Sequence, residues 1–136
     1  MGVDITDLVQ SRDVRMDELS NRVLVVDGPL FLYQFLTTIR QRDGSVLRDS
    51  KGNVTSHLTG LFTRTTNLMQ KGLKLVYVFD GEVPELKKKE LERRSKIKSE
   101  AQDLYDESVA KGDVEGMRKY ASRSARLTKE MINEAQ

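Results

Sequence analysis

Two runs of β-branched and aromatic residues, Arg22-Val23-Leu24-Val25-Val26-Asp27 and Leu73-Lys74-Leu75-Val76-Tyr77-Val78-Phe79-Asp80, each lead into Asp-Gly and constrain the fold most. Short apolar runs closed by a turn signal predict strands buried on both faces. Between them Pro29 is placed to start a helix, and Leu30 to Ile39 is apolar nearly all round, as in a helix buried against a sheet. Arg42-Asp43-Gly44-Ser45 and Asp49-Ser50-Lys51-Gly52-Asn53 are turn clusters flanking Val46-Leu47, an irregular loop or small hairpin. A second helix is predicted from about Thr55, with Leu58, Leu61, Phe62, Thr65, Leu68 and Met69 on one face and Lys71-Gly72 as its stop. Strand, helix, helix, strand is a parallel crossover, so the expected class is α/β, a parallel sheet flanked by helices.

Beyond Pro84 the apolar residues thin to a loose helical spacing, which predicts two helices broken at Lys111-Gly112-Asp113. Neither has much to bury alone, so each needs a partner surface, a ligand or the other helix. Charge changes at the same place. Residues 1–80 hold 10 basic and 9 acidic side chains, and the shorter segment 81–136 holds 13 and 12. The chain therefore divides into 1–84 and 85–136.

Composition excludes several chemistries. With no cysteine there is no disulfide framework or thiol catalysis, and with His57 as the one histidine a metal must be held by oxygen. No apolar run approaches the roughly 20 residues of a membrane helix, and residues 1–22 lack a signal-peptide core. A soluble, intracellular protein with no membrane partner is expected.

The strand-end aspartates Asp27 and Asp80 fall on the rim where open α/β sheets bind ligands. As neighbours they would suit a hard cation such as Mg²⁺. Capping of the helix that follows is the alternative for each Asp, with Pro29 and Pro84 close by. A phosphoryl-aspartate chemistry lacks support, because Pro29 stands where a second carboxylate would be needed. Residues 87–98 then carry Lys87, Lys88, Lys89, Arg93, Arg94, Lys96 and Lys98 against Glu90 and Glu92. Cations at a helix N-terminus oppose its dipole, so a phosphate backbone passing the Asp80 edge would explain them. A solvated, salt-bridged helix is the alternative. Lys87 and Arg94 lie two turns apart on one face, and cations beside paired carboxylates suit metal-assisted phosphodiester chemistry.

Met1-Gly2-Val3, Leu32-Tyr33-Gln34-Phe35-Leu36, Ile39-Arg40-Gln41-Arg42-Asp43-Gly44, Thr55-Ser56-His57-Leu58, Gly60-Leu61-Phe62, Arg64-Thr65 and Val76-Tyr77-Val78-Phe79-Asp80-Gly81 occur in that order. Together they resemble the N-terminal half of archaeal and eukaryotic flap endonucleases, from residue 1 to the end. The resemblance implies a 5′-nuclease (PIN-like) α/β core over 1–84, then a basic helical arch and following helix over 85–136. The implied activity is cutting of 5′ flaps at branched DNA with two Mg²⁺ ions, in replication and repair. It further implies metal binding by Asp27 and Asp80, action of Lys87 and Arg94 on the scissile phosphate, and stacking of Tyr33 on a nucleotide. DNA contacts are implied for Arg40 and Arg64, and Gly2, Lys88 and Arg93 are candidates for the same surface. Gly2 with Thr6 also fits a loose myristoylation pattern, which the resemblance displaces. His57 is expected to pack within the second helix.

Gly28-Pro29 stands where relatives carry a small residue such as Ala and then a variable one, and Glu82-Val83 replaces a Lys-Pro pair. The family's other metal-binding carboxylates, its helix-hairpin-helix and its sliding-clamp peptide would fall beyond Gln136. Two aspartates alone cannot fix two metals. The expectation is therefore an N-terminal portion, active only with a C-terminal portion in the same chain or a second one. A non-catalytic DNA-binding or assembly module is the alternative. The resemblance places the protein in cytoplasm or nucleoid if archaeal and in the nucleus if eukaryotic.

Overall fold

Both valine-rich runs form strands, and they pair in parallel. A computed structural model of the chain describes residues 8–81 and 84–136. β1 (Val23–Asp27) and β2 (Lys74–Val78) run in register from Val23 opposite Lys74 to Asp27 opposite Val78. The crossover between them is α1 (Gly28–Thr38) and α2 (Ser56–Gln70). Val46 and Leu47 sit in the predicted irregular loop, braced by single bridges from Arg40 to Val46 and from Arg48 to Val54.

Burial on both faces of the strands is not what forms. Val26 is buried and Leu24, Leu75 and Tyr77 are half-buried on one face, whereas Val23, Val25, Val76 and Val78 on the other are 60%, 71%, 47% and 51% exposed. Alternate side chains of a strand point to opposite faces, and among the described residues only one face is covered. A continuous valine run does not reveal which layers are present.

The core centres on Leu32, Phe35 and Leu36 of α1 with Val26 and Leu73. The predicted stripe on α2 holds in part: Leu58, Leu61, Thr65 and Leu68 are half-buried, whereas Phe62 and Met69 are 73% and 59% exposed and the deepest burial falls at Ser56, His57 and Gly60. The cause is close approach. A Cβ at Gly60 would stand 2.5 Å from Phe35 Cβ and 2.7 Å from Ile39 Cδ1, so α1 rests on the α2 backbone, with small residues at the contact. Tyr77 ties the same helix to the sheet through a 2.6 Å hydrogen bond between its hydroxyl and that of Thr65.

Three helices, where two were predicted, occupy the second region: α3 (Glu85–Lys111), α4 (Val114–Ser124) and α5 (Lys129–Ala135). The break at 111–113 lies where predicted, with Gly112 left-handed at φ 66° and Asp113 accepting from Gly116 N–H at 3.0 Å. A further break follows Ser124, because the Thr128 hydroxyl accepts from Met131 N–H and caps a new helix. α3 and α4 pack on one another, and Ala101 and Ser108 of α3 and Ala121 and Ser124 of α4 are buried. α4 also touches α1, and Arg118 Nε donates to the Arg42 carbonyl at 2.7 Å. No helix among the described residues is long and apolar enough to cross a membrane.

Gly60→Ala is expected to force α1 and α2 apart. Overpacking of this kind costs about 1–3 kcal/mol, read as a lowered melting temperature in thermal unfolding.

Candidate metal and phosphate site

Asp27 ends β1 and is at once the N-cap of α1, its Oδ1 accepting from Leu30 N–H at 2.9 Å. The capping alternative is thus realised at Asp27, where the second carboxylate oxygen has no hydrogen bond among the described residues. Asp80 stands two residues past β2 and does not cap α3, whose N-cap is Pro84. Gly28 admits the ring of Phe79 beside this rim: a Cβ there would lie 2.8 Å from Phe79 Cε1, which accounts for glycine over alanine.

An open cleft of about 810 Å³ is lined by Asp27, Tyr33, Asp80, Arg94 and Lys98, with α3 as its far wall. A second cleft of about 480 Å³ adjoins it, sharing Asp80 and Arg94 and adding Lys87 and Glu90. The fold therefore brings Asp27, Asp80, Tyr33, Lys87 and Arg94 to one end of the sheet. Lys98 Nζ lies 4.5 Å from the centre of the Tyr33 ring, a cation–π distance. Partial burial, then the nearby Arg126 and Arg94, lower the Lys98 pKa.

Glu90 and Lys98 belong to this site and escape a reading that counts only surplus charge. Glu90 Oε2 and Oε1 accept from Arg93 Nε and Nη2 at 2.8 and 2.9 Å, and Oε1 also accepts from Arg94 Nε at 2.8 Å. These bonds, from Arg93 first and Arg94 second, hold the Glu90 carboxyl down to about 2. The helical spacings of three and four residues were the available signal. Lys88 similarly pairs with Glu85 at 3.3 Å. The solvated, salt-bridged helix thus describes Lys88 and Arg93, whose charges are balanced within α3. Lys87, Lys89, Lys96 and Lys98 have no ion-pair partner among the described residues.

Other candidates lie apart from the clefts. Arg40 is half-buried and donates to the Thr37 and Gly44 carbonyls at 3.2 and 2.8 Å, and burial lowers its pKa. Arg64 lines a separate groove of about 290 Å³ between α1 and α2, with Gln34, Thr38 and Asn67. Gly2 and the Glu82-Val83 departure lie outside the described residues. No group of three or more acidic or histidine side chains able to hold a metal occurs among the described residues. Two carboxylates lining one cleft still fit Mg²⁺, which is commonly held by one or two carboxylates together with substrate phosphates and water.

Residues 2–101 match the model of the XPG N-terminal domain. The chain is 48% identical to flap endonuclease 1 of Pyrococcus furiosus over 135 residues, covering 99% of this chain and 40% of that protein. It is 53% identical to flap endonuclease 1 of Thermofilum pendens over 137 residues, with the same shares covered. Among solved structures, flap endonuclease-1 from Methanococcus jannaschii aligns over 98% of this chain and 42% of its own, with a TM-score of 0.61 and 38% identity. The catalytic core of Rad2 in complex with DNA substrate aligns over 91% and 30%, with a TM-score of 0.55 and 29% identity. The chain thus spans about 40% of the length of the curated relatives it matches. With the parallel crossover, the rim carboxylates and the basic helix all in place, the chain belongs to the XPG N-terminal domain family, and its fold is that of the flap endonucleases.

Proposed function

We propose that this chain carries the phosphate-handling part of a metal-dependent 5′-flap endonuclease, which hydrolyses phosphodiester bonds in branched DNA once a C-terminal portion completes it. The observation that carries this reading is the convergence of Asp27, Asp80, Tyr33 and Arg94 on one cleft. Asp27 and Asp80 would hold Mg²⁺, two ions in the completed enzyme, with further carboxylates from the C-terminal portion. Bound there, the metal supplies activation of water and neutralisation of phosphate charge.

The protein's own groups do the rest. Among the described residues Arg94 is held by Glu90 through Nε alone, so its two terminal nitrogens remain to receive a phosphate that Lys87 would meet from the adjoining cleft. Glu90 fixes the guanidinium in place before substrate arrives, which lowers the entropy cost of the contact. Tyr33 offers a stacking surface whose ring is steadied by Lys98. Arg40, Arg64, Lys88 and Arg93 would extend the DNA contacts. For Arg93, whose guanidinium closes on Glu90 with two bonds, the contact requires an exchange of partners. The face of the sheet left uncovered among the described residues supports the need for completion, since parallel sheets are ordinarily covered on both sides. A sliding clamp would be engaged only through the C-terminal portion.

A non-catalytic DNA-binding module is the second reading, favoured by the lack of a three-ligand metal group among the described residues. Combining the chain with a C-terminal portion of a relative and supplying Mg²⁺ separates the two. Cleavage of flap DNA supports the nuclease, and salt-dependent binding with no cleavage supports the module. In the completed enzyme Asp27→Asn and Asp80→Asn should each abolish cleavage while leaving DNA affinity within a few-fold. Undiminished cleavage in either variant would remove that residue from the metal site.

Tyr33→Ala should weaken flap binding by about 1–3 kcal/mol, with Tyr33→Phe close to the parent, as measured by fluorescence anisotropy. Equal losses in both variants would point to the hydroxyl instead of the ring. Glu90→Gln should raise DNA affinity at low salt and steepen the log K against log salt slope by about 0.9 for each additional phosphate neutralised. Because the carboxyl of Glu90 is depressed to about 2, its hold on the two arginines is complete above its ordinary pKa and is lost only as pH falls toward 2. Between pH 5 and 8 the parent's affinity should accordingly show no step from this group.

A further inference from the structure

His57 plays no part in the phosphate site, yet it is the largest polar side chain that is completely buried, at 0% exposure. Both ring nitrogens lack a hydrogen-bond partner among the described residues. An imidazole always carries at least one N–H, and leaving it unsatisfied in a dry interior costs free energy that a nearby acceptor would recover. The nearest carboxylate is Glu134 of α5, whose Oε2 lies 3.5 Å from His57 Nε2, just beyond a well-formed bond. α5 makes its principal described contact with α2, on which His57 sits.

We infer that His57 and Glu134 form a clip that docks α5 onto α2 and so fastens the returning end of the α3–α4 arch to the nuclease core. α4 is itself held to α1 and to the Arg42 carbonyl, so α5 provides the last attachment after the arch. Few other charges bear on the ring. α1, which packs against α2, contains no acidic or basic residue and only Tyr33 as a titratable group. The loop before α2 carries Arg40, half-buried and bonded to the Thr37 and Gly44 carbonyls, and Arg42, Asp43, Arg48, Asp49 and Lys51, all exposed, and α2 itself carries Arg64 two turns on, also exposed. From α5 come Lys129, Glu130 and Glu134, of which Glu134 alone approaches the ring.

The clip is acid-sensitive, and the sign follows from burial. Desolvation lowers the His57 pKa below its ordinary value, and Glu134 opposes that shift without cancelling it. A histidine with a depressed pKa in the docked state takes up a proton when α5 lifts and water reaches the ring. Docking is therefore at full strength above about 6.5, the ordinary histidine pKa, and weakens as pH falls from there to the docked value.

Hydrogen exchange of the α5 amides between pH 5 and 8, as protection factors corrected for intrinsic exchange, tests this in the 136-residue chain. Protection should be level above about pH 7 and fall by up to about tenfold per pH unit below about 6.5, the slope of one linked proton. Glu134→Gln should enlarge the acid loss, because the buried imidazolium then has no carboxylate beside it. His57→Gln should abolish the pH dependence while the amides of α1 keep their protection. Level protection across the whole range in the parent would overturn the clip, and so would an acid loss in Glu134→Gln no larger than the parent's. If His57→Gln does not fold, the parent and Glu134→Gln profiles decide.

Discussion

The parallel pairing of β1 with β2 is the interaction on which the rest depends. Parallel neighbours cannot be joined by a tight turn, so the chain must cross over, and α1 and α2 are that crossover. Parallel direction also puts both strand exits at the same end, which is why two aspartates distant in sequence line a single cleft. Antiparallel pairing of the same strands would send Asp27 and Asp80 to opposite ends of the sheet. Past the same rim comes α3, whose Arg94 and Lys98 line the larger cleft and whose Lys87 lines the adjoining one.

Charge within α3 is arranged by the same economy. A bare basic helix start would oppose its own dipole, and Glu85 and Glu90 remove part of that cost from within. What remains is a division of labour among cations. Arg93 is closed on its partner, Arg94 is aimed but still has donors to offer, and Lys87 waits at the cleft without a partner among the described residues. Net charge along the sequence cannot express these differences, because they depend on which nitrogen is already occupied.

Strand order, the crossover helices and the stop at Lys71-Gly72 were legible in the sequence because each follows from local rules: period, turn chemistry and capping. So was the break at Gly112-Asp113. The facing of elements was less so. Valines at 23, 25, 76 and 78 look the same whether or not a layer lies over them, and the deepest contact of α2 falls beside its predicted stripe because Gly60, having no side chain, marks the closest approach. α5 was hidden by Leu127, Met131 and Ile132, whose spacing reads through a Thr128 cap. At the site, the rim aspartates were visible as a repeated strand ending. The double role of Asp27 as cap and candidate ligand needed the Leu30 N–H to be placed, and the roles of Glu90 and Lys98 needed the helix face on which they meet Arg94 and Tyr33.

The uncovered side of the sheet also bears on how such a chain behaves in solution. Lys74 lies in register with Val23 at one end of that face, and Asp27 with Val78 at the other, so a charge stands at each end of the short valine strip between them. Two copies laid face to face would have to strip water from both charged groups before the valines touched, a deterrent that natural sheets use against stacking and edge growth. The same pair of charges gives a correctly matched covering layer a means of register, since it can answer the ammonium at one end and the carboxylate at the other. A layer laid over this face among the described residues would thus meet an ammonium at one end of the valine strip and a carboxylate at the other.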